Sequence, residues 1–188
     1  MDLLKKLRED HDLTDLLCDV CDVEILSEFR TPQDEGGHLT YNIVGKTFAQ
    51  ARSGSEYILL EDGSIGYWGS EGEGGRIADN LNDFFELMIN CPYWLDYVCE
   101  EKYQDMEELS EFAREIFEEH MDDTQEDEFD LREAQQKLAD NLGIEIKADA
   151  AEILMRFYHC ATRNPRFVQI YTENYGSMHS GTGSLFDR

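Results

Sequence analysis

The sequence predicts an α+β protein in which a small antiparallel or mixed sheet is flanked by helices, with an acidic helical C-terminal half. Three observations predict it: a hairpin signal between about 39 and 69, helical apolar periodicity through most of residues 104–162, and 42 acidic residues against 16 basic ones. A chain of 188 residues is long enough to bury one core, so a single domain is expected. Its expected parts are a sheet-and-helix core at 38–98, a helical extension at 100–162 and a mobile tail at 177–188.

The N-terminal stretch 12–26 begins with helical periodicity, because Leu13, Leu17 and Val20 fall on one face. The stretch fits either one continuous helix or a helix that passes into a strand. Residues 39–51 are rich in β-branched and aromatic side chains and therefore predict a strand.

Residues 56–69 give the clearest β-hairpin signal. Asp62 and Gly63 separate two apolar runs, and both residues tolerate the positive φ that a two-residue type I′ turn requires. Together with the strand before it, this hairpin predicts a small antiparallel sheet with at least three strands between about 39 and 69.

Six glycines fall between Gly63 and Gly75, which raises the question of a phosphate-binding loop. A P-loop requires a Lys-Ser or Lys-Thr pair after its glycines, and none follows here. A dinucleotide fingerprint requires a βαβ unit, whereas these glycines follow a hairpin. Glu71 and Glu73 would also repel a pyrophosphate. The run is therefore predicted to be a structural loop that leads from the sheet into a helix, and no cofactor is expected.

Apolar residues at i, i+3, i+4 and i+7 predict four further helices. These helices cover residues 76–90, 104–120, 130–142 and 149–162. Gly143 is expected to end the third of them as a C-terminal cap. Residues 164–176 alternate as a strand does, but they also suit an extended docking segment.

The cysteines, histidines and carboxylates form no recognisable catalytic or metal-binding motif. Cys18 and Cys21 form a CxxC pair, but a structural zinc site needs a second pair of ligands, so we expect buried or half-buried thiols. The run from Asp122 to Asp130 lacks the central glycine of an EF-hand loop, which leaves a weak surface cation site as an open alternative. A catalytic Cys–His pairing is also left open, although no pattern points to one.

The net charge of −26 favours some partners and disfavours others. Such a chain is repelled by nucleic-acid phosphates and by anionic membranes, so neither is expected as a direct partner. The sequence has no recognisable signal peptide and no apolar run near the length of a membrane span, which predicts a cytoplasmic location. The charge favours a basic protein partner, and solubility alone is the other interpretation of it.

The acids concentrate between Glu100 and Asp130, where fifteen acids stand against two bases. On the helix around 104–120 they occupy the face opposite the apolar stripe. An ordinary solvated helix face would carry both acidic and basic side chains. A face with charges of one sign favours electrostatic attraction of a basic partner. The predicted contact residues are Glu107, Glu108, Glu111, Glu115, Glu118, Asp122, Asp123, Glu126 and Asp127. A second, smaller contact is predicted at Glu71 and Glu73.

A strand at Ile65–Trp68, a loop bearing Glu and Gly at Glu71–Gly75 and a helix at Ile77–Met88 follow one another. With the preceding segment GKTFAQARSGSEY, this order makes residues 38–98 resemble the SUKH superfamily, which includes bacterial immunity proteins against secreted toxins and fungal cell-wall regulators. The resemblance implies an α+β fold that has no catalytic site and binds through a surface. For immunity members it further implies neutralising a toxin domain, often a nuclease.

The charge and the resemblance together predict a non-enzymatic cytoplasmic binding protein, with an immunity protein as the first hypothesis. The expected partner is a basic protein, for example a toxin nuclease domain, and no catalytic residue, cofactor or metal is expected. The second hypothesis is an intracellular regulatory scaffold of the same fold. The third is a small hydrolase with an unrecognised site. The sequence leaves the oligomeric state open.

Overall fold

The computed structural model describes residues 3–32, 39–70, 73–98, 105–125, 130–171 and 185–186. Within them the chain has the predicted α+β class: five strands form one antiparallel sheet, two short strands form another, and helices pack on the larger sheet. The elements are α1 Leu3–Glu9, α2 His11–Cys21, β1 Glu24–Arg30, β2 Leu39–Tyr41, β3 Gly45–Gln50, β4 Glu56–Leu60, β5 Ile65–Trp68, β6 Gly74–Ala78, α3 Leu81–Asn90, α4 Trp94–Val98, α5 Met106–Gln125, α6 Leu131–Leu142, α7 Ala151–Thr162 and β7 Gln169–Tyr171.

The larger sheet has the strand order β1-β3-β4-β5-β6, and each neighbouring pair is antiparallel. The first strand of this sheet, β1, begins within the stretch 12–26, which forms a helix followed by a strand. Helix α2 ends at Cys21, and Asp22 turns the chain with a φ of 51° while its N–H donates to the carbonyl of Cys18. Strand β1 then begins at Glu24. The alternative of a helix passing into a strand is therefore correct, and the sheet extends beyond the predicted 38–98 core.

The predicted strand at 39–51 is two strands that belong to different sheets. β3 lies inside the larger sheet, whereas β2 pairs only with β7 in the two-stranded sheet, with Tyr41 opposite Gln169. The break falls between Tyr41 and Gly45, because Asn42 turns away to bond the segment before β7: its Oδ1 accepts from the backbone N–H of Val168 at 2.9 Å. The prediction of at least three strands between 39 and 69 is confirmed.

The hairpin predicted at Asp62 and Gly63 exists, but its turn is not type I′. Gly63 has a φ of 85°, whereas Asp62 does not have the positive φ that a type I′ turn requires at both central residues. Four residues, 61–64, connect β4 to β5 instead of two. The Asp62 side chain accepts from the backbone N–H of Ser64 at 3.0 Å, so aspartate serves this turn as a hydrogen-bond acceptor.

The predicted helix at 76–90 begins five residues later than expected. Residues Gly74–Ala78 form strand β6, which pairs with β5 and places Gly75 opposite Tyr67. The helix begins only at Leu81, where the side chain of Asn80 accepts from the N–H of Asp83 at 3.0 Å. The glycine run is therefore a second hairpin, not a connection from the sheet into a helix, and the segment Ile77–Met88 is divided between β6 and α3.

The two faces of the larger sheet carry separate apolar layers. Toward the helices, Tyr57 packs on Phe84 and Tyr67 packs on Trp94, with ring centroids 5.2 and 4.9 Å apart. On the other face, Ile58, Leu60 and Phe167 form a smaller cluster that the β2–β7 sheet covers. Burying each of these large side chains contributes about 1.5–3 kcal/mol. The sheet is thus a middle layer, which explains why β4 is buried along most of its length.

The helices of the second half join the same core. Asp130 caps α6 at its start, and Gly143 ends it with a φ of 70°, as the sequence predicts. Helix α7 packs on β6 and on α5, so the described helices of this half share an apolar interior with the sheet.

Part of the predicted mobile tail is packed. Leu185 is 3% exposed, and its N–H donates to the carbonyl of Gly74 at 3.0 Å. Phe186 packs on Phe157 with ring centroids 5.3 Å apart. These two residues therefore lie against strand β6 and helix α7. Residues 177–184 and 187–188 lie outside the described residues.

No helix in the described part of the chain combines the length and the apolar character needed to cross a bilayer.

Candidate functional site

Helix α5 presents a row of acidic side chains to solvent. We call Glu107, Glu108, Glu111, Glu115 and Glu118 the acidic face; all five are exposed. The helix begins at Met106, directly after Asp105, whose carboxylate accepts from the backbone N–H groups of the next two glutamates at 2.9 and 3.2 Å. Two glutamates in the first turn also suit the positive end of the helix dipole.

The opposite face of α5 holds the helix to the rest of the protein. Leu109 and Ala113 are buried, and Phe112, Ile116 and Phe117 are half-buried. Tyr93, which is 2% exposed, donates its hydroxyl hydrogen bond to the carbonyl of Ala113 at 3.0 Å. The predicted apolar stripe is therefore the packed face, and this packing fixes the direction in which the acidic face points.

The carboxylates of the acidic face have no cationic partner within the described part of the chain. None of the five forms an ion pair with any residue that the structure describes. Neighbouring like charges on an exposed helix cost a few tenths of a kcal/mol per pair. A cationic surface that approached this helix would relieve that repulsion, so the face is suited to electrostatic attraction.

The other predicted contact residues are only partly described. Asp122 and Asp123 lie in the last turns of α5, where the backbone alone is described, and Glu71, Glu126 and Asp127 lie outside the described residues. Glu73 is half-buried in the β5–β6 turn, where its backbone carbonyl accepts from the N–H of Gly69 at 2.7 Å. Its carboxylate also covers that glycine, because a Cβ built on Gly69 would lie 1.8 Å from Glu73 Oε1.

Two open grooves share Lys147 and Asp149 in their linings. One has a volume of about 570 Å³ and is lined by Met106, Glu152 and Arg156 among others. The other has a volume of about 500 Å³ and runs along α5, with Arg114 and Phe117 in its lining. Sequence reasoning missed both grooves, because their walls come from helices far apart in the chain. The available signal was Arg114, one of only two bases between Glu100 and Asp130.

The described cysteines are poor candidates for nucleophiles. Burial raises the pKa of Cys21 and Cys91 well above the ordinary range and raises that of Cys160 to about 12. Burial also raises the pKa of Cys18, although nearby Arg52 acts in the opposite direction. The CxxC pair lies inside α2, where the Cys21 thiol donates to the carbonyl of Met88 at 3.3 Å. A reactive cysteine needs the opposite environment, with a lowered pKa and access to solvent.

A small cavity lies between the end of β6 and helices α3 and α7. The cavity lined by Asp79, Asp83, Arg156 and Cys160 has a volume of only about 20 Å³, which is close to the space for one water. No group of three or more His, Cys, Asp or Glu side chains in the described part of the chain is placed to hold a metal ion.

Buried charges on the sheet have structural partners. Glu56 is 1% exposed, and its carboxylate accepts from the guanidinium of Arg30 at 2.5 Å and from the hydroxyl of Thr47 at 2.9 Å. Because these three residues lie on the adjacent strands β1, β3 and β4, the network ties the edge of the sheet together.

Comparison of the chain with protein families, with curated proteins and with solved structures finds no match. The fold and the surface define the chain as an α+β protein with an exposed acidic helix face that no described residue neutralises by an ion pair.

Proposed function

We propose that this chain is a non-enzymatic cytoplasmic binding protein whose acidic face on α5 covers a basic surface of another protein. The single observation that carries the proposal is that the five exposed glutamates have no ion-pair partner among the described residues, on a helix whose opposite face is packed. Bases are available elsewhere in the chain to neutralise acids, as Arg156 does for Asp83 and Glu86. The acidic face has no such neutralisation by a described residue.

We further propose that the basic partner is a toxin domain and that the chain acts as its immunity protein. The resemblance of residues 38–98 to the SUKH superfamily supports this particular role. Nucleases carry cationic clefts because they bind phosphates, so an inhibitor that covers such a cleft benefits from an anionic surface. The mechanism is then occlusion: the helix blocks access to the cleft and its charge speeds the encounter.

The first experiment identifies the partner. The product of the adjacent gene is used as bait in a pull-down, and this chain is tested for its ability to restore growth of cells that express the same product. We expect capture and rescue together. Capture of an unrelated endogenous protein without rescue would favour the regulatory scaffold instead.

The second experiment tests the mechanism on that partner by stopped-flow association. Replacing Glu107, Glu111 and Glu115 with Lys should lower the association rate constant by roughly 10- to 100-fold at low salt and flatten its dependence on NaCl concentration. The matched control replaces Asp15, Glu28 and Glu61 with Lys; these three acids are also exposed, so the change in net charge is the same. An association rate that responds neither to salt nor to the α5 variant contradicts the electrostatic mechanism.

A further inference from the structure

The groove beside α5 combines apolar side chains with two arginines in a lining of mixed polarity. We call it the arginine groove; its volume is about 500 Å³, and it is lined by Tyr93, Ala113, Arg114, Phe117, Arg132 and Ile146 among others. This volume lies within the range of pockets that hold a small ligand or an anchoring side chain. The groove is therefore large enough for an aromatic or branched apolar group.

The two arginines of the groove lack carboxylate partners. Arg114 and Arg132 form no ion pair with a described residue, although the chain has 42 acids and 16 Lys and Arg residues. Arg132 instead stacks on Phe117, with its guanidinium carbon 5.1 Å from the ring centroid. A guanidinium that lies over an aromatic ring can still donate its N–H groups to a carboxylate.

The other charged groups of the arginine groove are already engaged or exposed. Lys147 pairs with Glu145. The Asp149 carboxylate accepts from the backbone N–H of Ala151 at 2.9 Å and from the hydroxyl of Ser110 at 2.7 Å. Glu118 belongs to the exposed acidic face. Arg114 and Arg132, both exposed, are thus the cations of the groove that no described carboxylate pairs.

We propose that the arginine groove receives one carboxylate-bearing apolar anchor of the same cationic protein that the acidic face attracts. This inference rests on the proposed function and specifies the partner further: a basic surface with a single protruding apolar segment that carries a carboxylate. The apolar part packs on Phe117 and Ala113, and the carboxylate accepts from Arg114 and Arg132. Charge complementarity selects this occupant, because the net charge of −26 repels a free small anion that lacks cationic neighbours.

The acidic face and the arginine groove are expected to contribute to binding in different ways. Exposed rim charges mainly set association rates, whereas a desolvated pocket near the centre supplies most of the binding free energy. Arg114 lies on α5 between Glu111 and Glu115, so one helix contributes both the acidic face and a wall of the groove. A guanidinium holds a carboxylate through charge-assisted hydrogen bonds and so fixes the position of the anchor.

The test uses two synthetic peptides, acetyl-Lys-Lys-Lys-Lys-Gly-Gly-Leu-Phe with a free C-terminal carboxylate and the same peptide with a C-terminal carboxamide. Their dissociation constants for the full chain are measured by calorimetry at 150 mM NaCl. Attraction by net charge alone favours the carboxamide, which is one unit more positive. The arginine groove reverses this order, so we expect the carboxylate peptide to bind roughly fivefold more tightly, which is about 1 kcal/mol.

Two pairs of substitutions test whether the arginine groove causes the preference for the carboxylate peptide. Arg114→Gln together with Arg132→Gln should abolish the advantage of the carboxylate and leave the carboxamide tighter. The matched control, Lys46→Gln together with Lys137→Gln, removes two exposed cations outside the groove and should keep the advantage. Backbone amide shifts in the NMR spectrum on addition of the carboxylate peptide should concentrate at residues 113–117.

The outcomes separate this inference from the proposed function. If wild type prefers the carboxamide while the Glu107, Glu111 and Glu115 to Lys variant weakens both peptides, the arginine groove is not the anchor site but the acidic face stands. If that variant weakens neither peptide, or neither binds, the proposed function is contradicted and the inference with it.

Discussion

Arg76 Nη2 lies 2.8 Å from Asp62 Oδ2, so strand β6 is tied to the turn between β4 and β5. The arginine is 3% exposed and also donates to Ser64 Oγ at 3.0 Å and to the carbonyl of Pro165. Burial by itself raises the pKa of Asp62, but the hydrogen bonds from Ser64 and Arg76 outweigh it and lower this pKa to about 2. The fold therefore stabilises the ionised form of Asp62.

Replacing Asp62 with Asn should destabilise the protein in a pH-dependent way. The shift from 3.8 to about 2 corresponds to at most about 2 kcal/mol, and screening of this side chain, which is 41% exposed, reduces it to about 1 kcal/mol. Because the folded pKa is lowered, the stabilisation is present above pH 3.8 and is lost as the pH falls through 2. Urea unfolding at pH 6, 4 and 3 should show the difference shrinking below pH 4.

The control for this prediction is Glu61→Gln, which removes the exposed acid next to Asp62 in the same turn. It should change the free energy of unfolding by less than about 0.5 kcal/mol at each pH. A difference between wild type and Asp62→Asn that stays constant from pH 6 to pH 3 would show that the ion pair with Arg76 does not act through ionisation.

Gly66→Ala should destabilise the protein by about 1–3 kcal/mol through a steric clash. A Cβ at this position would lie 2.9 Å from Phe167 Cε1, and the sheet behind it prevents the backbone from moving away. Thermal or urea unfolding measures the cost. In a Phe167→Leu background the same substitution should cost less, since the shorter side chain leaves room, and a double-mutant cycle gives the coupling. Equal costs in both backgrounds would be inconsistent with the clash.

Gly63→Ala should destabilise the protein through backbone strain, in contrast to the steric clash at Gly66. Nothing lies within 4 Å of a Cβ built there, but the φ of 85° is strained for alanine. We expect a cost of about 1 kcal/mol that does not depend on the residue at position 167.

Leu185→Ala should cost about 2 kcal/mol or more in the free energy of unfolding, because this side chain is 3% exposed and packs over Gly75 on strand β6. Leu95→Ala is the matched control, since Leu95 is 42% exposed, and its cost should stay within about 0.5 kcal/mol. If both variants unfold at the same urea concentration as wild type, the C-terminal residues do not contribute to the core in solution.

Thiol labelling with a disulfide reagent at pH 8 should single out Cys18 among the four described cysteines. Cys21, Cys91 and Cys160 are buried with raised pKa values, so they should react only after unfolding. A Cys99→Ser background removes the cysteine that lies outside the described residues. Mass spectrometry then maps the label, and labelling of Cys91 or Cys160 as fast as Cys18 would contradict the described packing.

Local patterns predicted much of the chain where one short-range interaction decides the outcome. Gly143 ends α6 in the left-handed conformation, as its position after the last apolar residue predicts. The hairpin at Asp62 was also placed correctly, but its turn type was not, because the side chain of Asp62 bonds Ser64 and Arg76. Arg76 comes from another strand, so turn statistics could not include it.

The error at 74–78 has a similar cause. Ile77, Leu81 and Phe84 are spaced as on a helix, and helix and strand patterns are hard to distinguish over so short a run. Pairing with β5 holds residues 74–78 as a strand. The side chain of Asn80 caps the following helix, which therefore begins at Leu81.

For the candidate site, the sequence by itself determined the exposed glutamates of α5, because helical periodicity assigns Leu109 and Ala113 to the buried face and the acids to the other. Only the tertiary structure decided that the acids lack partners among the residues it describes and that Arg114 and Arg132 line one groove, since these depend on how α5, α6 and the segment 146–150 pack. The physical reason is the difference in sequence separation between the residues that set each feature. Periodicity and caps are set by residues within a few positions of each other, whereas ion pairs and grooves are set by side chains that only folding brings together.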